Sequence, residues 1–137
     1  PISGLFHDIG VQGVGKEISI FDLKTLDEVD RKKYEQHPRS SLSYLKEKKI
    51  TLTPVISDII ERHHERLDGK GFPGQLPAHK VPMEAQLLAY ADAFEYLSRP
   101  VPGKAKLQPL EMHKIISTEL SLSPELLLKI EKFLKDS

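Results

Sequence analysis

The clearest hydrophobic period in this chain lies between residues 54 and 64. Val55, Ile59 and His63 fall at i, i+4 and i+8, and Ile56, Ile60 and His64 make a second row beside them. The spacing predicts a helix, opened by Thr53-Pro54, whose apolar face is continued by two adjacent imidazoles. Around it the pattern predicts further helices. Residues 1–10 read as the end of a helix stopped by Gly10, and 11–24 as loop. Thr25-Leu-Asp-Glu28 has capping-box spacing and opens a charged helix to about Gln36. Pro38 suits the first position of another helix to about Lys48, with Leu42 and Leu45 inward. Glu65 to Pro82, punctuated by Gly69, Gly71, Gly74, Pro73 and Pro77, is a loop. The next helix, about Met83 to Ser98, carries Ala85, Ala89, Ala91 and Ala93, small enough for close approach by a neighbour. Residues 99–108 form a linker. Two helices follow, Pro109 to about Leu120 and Pro124 to about Lys135, and in the second Leu126, Leu127, Ile130, Phe133 and Leu134 form a stripe that closes the core. No alternating strand pattern persists. The expected fold class is all-α, a compact helical bundle.

A chain of 137 residues, 39% hydrophobic, holds one core and is expected to form a single domain over residues 1–137. Lys plus Arg equals Asp plus Glu at 20 each, so no net charge argues for a nucleic-acid polymer or an anionic membrane. The absence of cysteine excludes disulfides and thiolate metal sites, and fits a reducing compartment such as the cytoplasm. No apolar run has transmembrane length, so no membrane span is expected. The chain opens at Pro1 in what reads as the middle of an element, and an N-terminal part is expected upstream.

Charge in apolar surroundings marks the candidate chemistry. A buried imidazole or carboxylate needs a partner or costs stability. His7-Asp8 sits between Phe6 and Ile9, His37 lies at the junction before Pro38, and Asp92 falls among Leu88, Ala89, Ala91, Ala93 and Tyr96. Each alone has an ordinary reading: a hydrogen-bonded core histidine, a surface histidine at a bend, a carboxylate that caps or pairs locally. His79 and His113 lack companions and read as surface residues. Taken together, His7, Asp8, His37, His63, His64 and Asp92 offer four imidazoles and two carboxylates, a donor set suited to a borderline divalent metal. A carboxylate such as Asp8 can bridge two metals roughly 3.5–4 Å apart.

The segments His7-Asp8-Ile9-Gly10, His37-Pro38, His63-His64-Glu65-Arg66-Leu67-Asp68-Gly69-Lys70-Gly71-Phe72-Pro73 and Ala91-Asp92-Ala93-Phe94 resemble the HD-GYP branch of the HD-domain phosphohydrolases. Leu122-Ser-Pro-Glu-Leu126 is similar to that family's closing segment. The resemblance implies a helical domain of the HD type with a two- or three-metal centre, of which two divalent ions fall on this chain's residues, iron first, then manganese, ahead of zinc, cobalt or nickel. It implies hydrolysis of cyclic di-GMP to linear pGpG or GMP by a metal-bridging hydroxide. Asp8 would bridge the metals and be the catalytic residue. His7 and Asp92 would hold one metal, and His37, His63 and His64 the other. Arg99, Lys104, Lys70 and Arg66 would bind substrate. The loop from Lys70 to Gln75 would be the contact for a GGDEF-type protein.

The departures from the pattern divide by role. Val11 stands where the family usually has Lys, Phe72 where it has Tyr, and Ser41 where it has Gly. The stretch after Asp92 is shorter, and Pro102 lies near the place of a basic residue, with Lys104 beyond it. Further metal ligands of the family are expected upstream. Metal-ligand positions within the chain are kept while substrate contacts are altered. Loss of one phosphate-contacting cation costs about 2–4 kcal/mol of transition-state stabilisation. The expectation is a metal-dependent phosphodiesterase. The alternative is a metal-containing module that senses cyclic di-GMP or binds a partner without turnover, and hydrolysis of another phosphoester such as a nucleoside phosphate stays open.

Overall fold

The computed structural model describes residues 4, 6–11 and 18–137. They form five α-helices: α1 (Glu28–Glu47), α2 (Pro54–Arg62), α3 (Met83–Ser98), α4 (Pro109–Glu119) and α5 (Pro124–Asp136), with short 3₁₀ turns at Ile9–Val11, Ile20–Asp22 and Ala78–Lys80. Among the described residues there is no strand, and no helix is long and apolar enough to cross a membrane.

The two helices expected over 25–36 and 38–48 are one. Asp27, not Thr25, caps α1, its carboxylate accepting from the Asp30 amide at 2.9 Å, while the Thr25 hydroxyl donates back to the Asp22 carbonyl. Pro38 lies inside α1. A proline removes one helical donor, the one aimed at the carbonyl four residues earlier, here Tyr34. That carbonyl is taken instead by the His37 ring, at 2.6 Å, so the helix continues with the lost bond replaced.

α2 is shorter than its periodicity predicts. It ends at Arg62, which leaves His63 as the C-terminal cap and His64 in the following turn. Only part of the predicted face is inside: Ile60 is fully buried, but Val55 is 66% exposed. The main core is built on α3 and the helices that follow it. Ala89, Tyr90 and Ala93 of α3 pack with Ile116, Leu120 and Leu122, joined by Phe21, Leu127 and Ile130. Ala85, Ala89 and Ala93 form the buried row of α3, whereas Ala91 is exposed. The stripe on α5 is shorter than expected. Leu126 is buried, yet Phe133, beyond the last core contact at Ile130, is 70% exposed.

Gly10 does not stop a helix. Gly4 and Phe6 are helical, His7 and Asp8 form a turn, and Gly10 lies within the 3₁₀ turn that follows. A Cβ at Gly10 would collide with the Ser41 amide and the His37 carbonyl of α1. Glycine is required here for close backbone approach, and it seats the His7-Asp8 turn directly on the helix that carries His37.

Candidate metal centre

Three imidazoles are fixed by one repeated device. The Nδ1–H of His7 donates to the Gly4 carbonyl at 2.9 Å, that of His37 to Tyr34 at 2.6 Å, and that of His63 to Ile60 at 2.7 Å. Each reaches the carbonyl three residues back. The Tyr34 carbonyl is available because of Pro38, and that of Ile60 is among the last carbonyls of α2, which lack a full set of helical partners. A neutral ring that donates from Nδ1 carries its lone pair on Nε2.

The lone pairs of His37 and His63 converge with the Nε2 of His64. The Nε2 atoms of His37, His63 and His64 are buried and have no hydrogen-bond partner. A buried polar atom left unpaired costs about 1–3 kcal/mol, so three side by side require a reason, and a cation supplies one. With an Asp8 oxygen, the donor atoms of these three histidines lie within 4.8 Å of one another. His7, Asp8 and Asp92 form a second set of the same tightness, and Asp8 belongs to both. Its Oδ1 lies 3.2 Å from His37 Nε2, close but without hydrogen-bond geometry, and its Oδ2 lies 3.1 Å from His7 Nε2. His7 Nε2 is also 3.1 Å from Asp92 Oδ1. All six candidate residues are thus brought into one cluster, whose nitrogen and oxygen donors fit divalent metal binding.

The charges within the cluster are opposed in an ordered way. Burial lowers the His63 pKa, to about 3, with the neighbouring His37 and His7 rings adding to the effect. Burial and the same crowding hold His64 well below its ordinary value. Both rings are therefore neutral donors at physiological pH. Partial burial also works against charge on His7, but Asp8 and Asp92 outweigh it and raise its pKa to about 10. Burial pushes the Asp8 carboxyl up, and the imidazoles of His37 and His7 overcome this and hold it far below the usual range. Asp8 keeps 47% of its side chain exposed, which makes it the open side of an otherwise buried cluster.

Residues that periodicity gives no reason to single out form the walls. Phe72 stacks on His64 with ring centres 4.7 Å apart, and Tyr34, 2% exposed, packs its ring against His37, His64 and Phe72. The peptide bond between Phe72 and Pro73 is cis. Glu65 is buried, and its carboxylate accepts from the amides of Gly74 (2.5 Å) and Leu76 (2.9 Å), tying the glycine-rich loop to the His63-His64 turn. Gly71 lies so close to His64, Glu65 and Arg66 that a Cβ would strike their backbone. Only a Glu after paired histidines and before several glycines hints at this clamp in the sequence.

The four cations expected at the substrate do not share one cavity. Arg66 and Lys70 line a cavity of about 210 Å³ with Phe72, whereas Arg99 and Lys104 line another of about 750 Å³ beyond the end of α3. The Arg66 guanidinium bonds Asp68 and the Glu119 carbonyl, and that of Arg99 bonds Glu95. His79 is exposed as expected, but His113 is not a surface residue. It is buried on α4, with Nδ1 2.8 Å from the Tyr90 hydroxyl, which satisfies it inside the core.

A model of the family described as HD domain matches residues 1–121. Among curated proteins, the chain is 34% identical over 99 residues to the cyclic di-GMP phosphodiesterase response regulator RpfG of Xanthomonas campestris, covering 72% of this chain and 26% of that protein. It is 31% identical to a cyclic di-GMP phosphodiesterase of Thermotoga maritima, covering 95% of this chain and 36% of the relative. It is 28% identical to 3'3'-cGAMP-specific phosphodiesterase 1 of Vibrio cholerae, covering 88% and 27%. The chain thus spans about a quarter to a third of the length of these relatives.

Proposed function

The chain belongs to the HD-domain family, and from that membership we propose that it is the metal-dependent phosphodiesterase domain of a protein that hydrolyses cyclic di-GMP to pGpG or GMP. The observation that carries the reading is the set of three buried, unpartnered Nε2 atoms converging beside a carboxylate shared with a second donor set. His37, His63 and His64 would hold one divalent ion, iron or manganese, His7 and Asp92 a second, and Asp8 both. Bound there, the ions supply Lewis acidity to a phosphodiester and lower the pKa of the attacking water.

The chain's own residues do the rest. The Nδ1 bonds of His7, His37 and His63 hold the rings in the orientation in which Nε2 faces inward. Tyr34 and Phe72 keep water off the imidazoles, while exposed Asp8 marks the side from which a phosphate enters. Arg99 and Lys104 beyond α3, or Lys70 and Arg66 beside Phe72, would meet the substrate's phosphates. Lys70, Gly74 and Gln75 are exposed, which is compatible with a GGDEF-type partner at this loop, and a cyclic dinucleotide substrate supports a cytoplasmic location for the domain.

A second reading, a metal-holding module that binds cyclic di-GMP without turnover, is favoured by one observation. Arg66 and Arg99 are already engaged by Asp68 and Glu95. The test is hydrolysis of cyclic di-GMP by the full chain, loaded anaerobically with Fe(II) or Mn(II), with His63→Ala alongside. Product from the wild type and none from the variant is expected. No product from protein that holds its metals overturns the enzyme and leaves the module.

A further inference from the structure

Ser41 lies one helical turn after His37 on α1 and is fully buried. Its hydroxyl donates to the His7 carbonyl at 2.7 Å and accepts from the Gly10 amide at 2.8 Å. The two bonded groups flank Asp8, and both belong to the turn that Gly10 allows against α1. The bonds run from one helix to a separate segment of chain, 34 and 31 residues away in sequence. Neither is a bond within α1. Their effect is to fix the Asp8 turn relative to His37, whose Nε2 stands 3.2 Å from Asp8 Oδ1.

We propose that Ser41 is a positioning residue for the metal centre, a hydroxyl staple that sets the shared Asp8 carboxylate against the histidines of α1 and α2. The proposal rests on the reading of the cluster as a metal site. Asp8 is the donor common to both sets, so an error in its placement is felt by both at once. It is also the most exposed member of the pair of sets and has no element of its own to hold it. Without Ser41 the His7 carbonyl and Gly10 amide lose their bonding partner, and the turn is free to lift from α1. Groups that orient metal ligands in this way typically carry ten- to hundredfold in affinity.

The experiment is Mn(II) binding by the full chain, followed through the spectrum of the free ion, for wild type and Ser41→Ala. Roughly ten- to hundredfold weaker binding by the variant is expected, together with faster exchange of the Gly10 amide in the metal-free protein. Tyr90→Phe, which removes the hydroxyl bonded to His113 in the core between α3 and α4, is the control for general destabilisation and should bind Mn(II) as the wild type does. Equal binding by wild type and Ser41→Ala overturns the staple alone, as does an equal loss in Tyr90→Phe. Absence of Mn(II) binding by the wild type overturns the metal centre and the staple together. Should Ser41→Ala fail to fold, Ser41→Cys carries the comparison. Its weaker donor should give an intermediate affinity, and wild-type affinity in that variant overturns the proposal.

Discussion

At the scale of single residues, the site is held by backbone hydrogen bonds more than by packing. Glu65 illustrates the point, since both of its carboxylate oxygens are used by amides of the following loop. Glu65→Gln replaces one acceptor with a donor facing an N–H. A loss of about 1–3 kcal/mol is expected, because a buried polar group is left unsatisfied, and urea denaturation measures it. A change below about 0.3 kcal/mol would mean that the loop is held by Gly71 and Phe72 alone. Of the six candidate donors, His63, His64 and Asp92 stood out as polar groups amid apolar residues, whereas His37, between Gln36 and Pro38, joined the set through the family resemblance. Glu65, Ser41 and Tyr34 were not legible in the sequence. Their partners are main-chain atoms or rings brought close by the fold, and no local pattern of side chains encodes those neighbours. His113 misled for the converse reason: its partner, Tyr90, lies on another helix.

At the scale of elements, α2 separates apparent from actual burial. Its sequence presents two apolar rows of equal strength, yet Ile60 is fully buried and Val55 is 66% exposed. Ile60→Ala should cost about 2–5 kcal/mol, whereas Val55→Ala should stay within about 0.5 kcal/mol. Thermal melting of the two variants decides it, and similar losses would place Val55 against a surface outside the described residues. The Ile60 carbonyl also orients His63, so the same element supplies both packing and a ring orientation. Among the described residues, the presence of helix was readable from periodicity. Helix continuity was not, because a proline in a sequence reads as a boundary. Inside α1, His37 occupies the acceptor that Pro38 leaves, a compensation that requires knowing where a side chain points.

At the scale of the whole molecule, the cluster joins the amino-terminal turn, α1, the end of α2 and α3, so that whatever binds there bears on the stability of the entire fold. A ligand at a hundredfold excess over its dissociation constant stabilises by about 2.7 kcal/mol. For a domain of this size that corresponds to a rise in melting temperature on the order of 10 °C. Mn(II) should raise the melting temperature by such an amount, a chelator should reverse it, and His63→Ala should abolish the response. An unchanged melting temperature in saturating Mn(II) would sink the metal reading of the cluster. The pairing of His7 with Asp92 has a consequence for how the chain is assembled. These two donors are 85 residues apart, while His63 and His64 are neighbours in sequence. Closing so long a loop carries an entropic cost that grows only slowly with length, so a clip across it is worth nearly as much as any in the chain. During synthesis His7, Asp8, His37, His63 and His64 emerge well before Asp92. A nascent chain therefore holds one donor set complete and the other lacking its last member, and metal captured early would wait on the docking of α3.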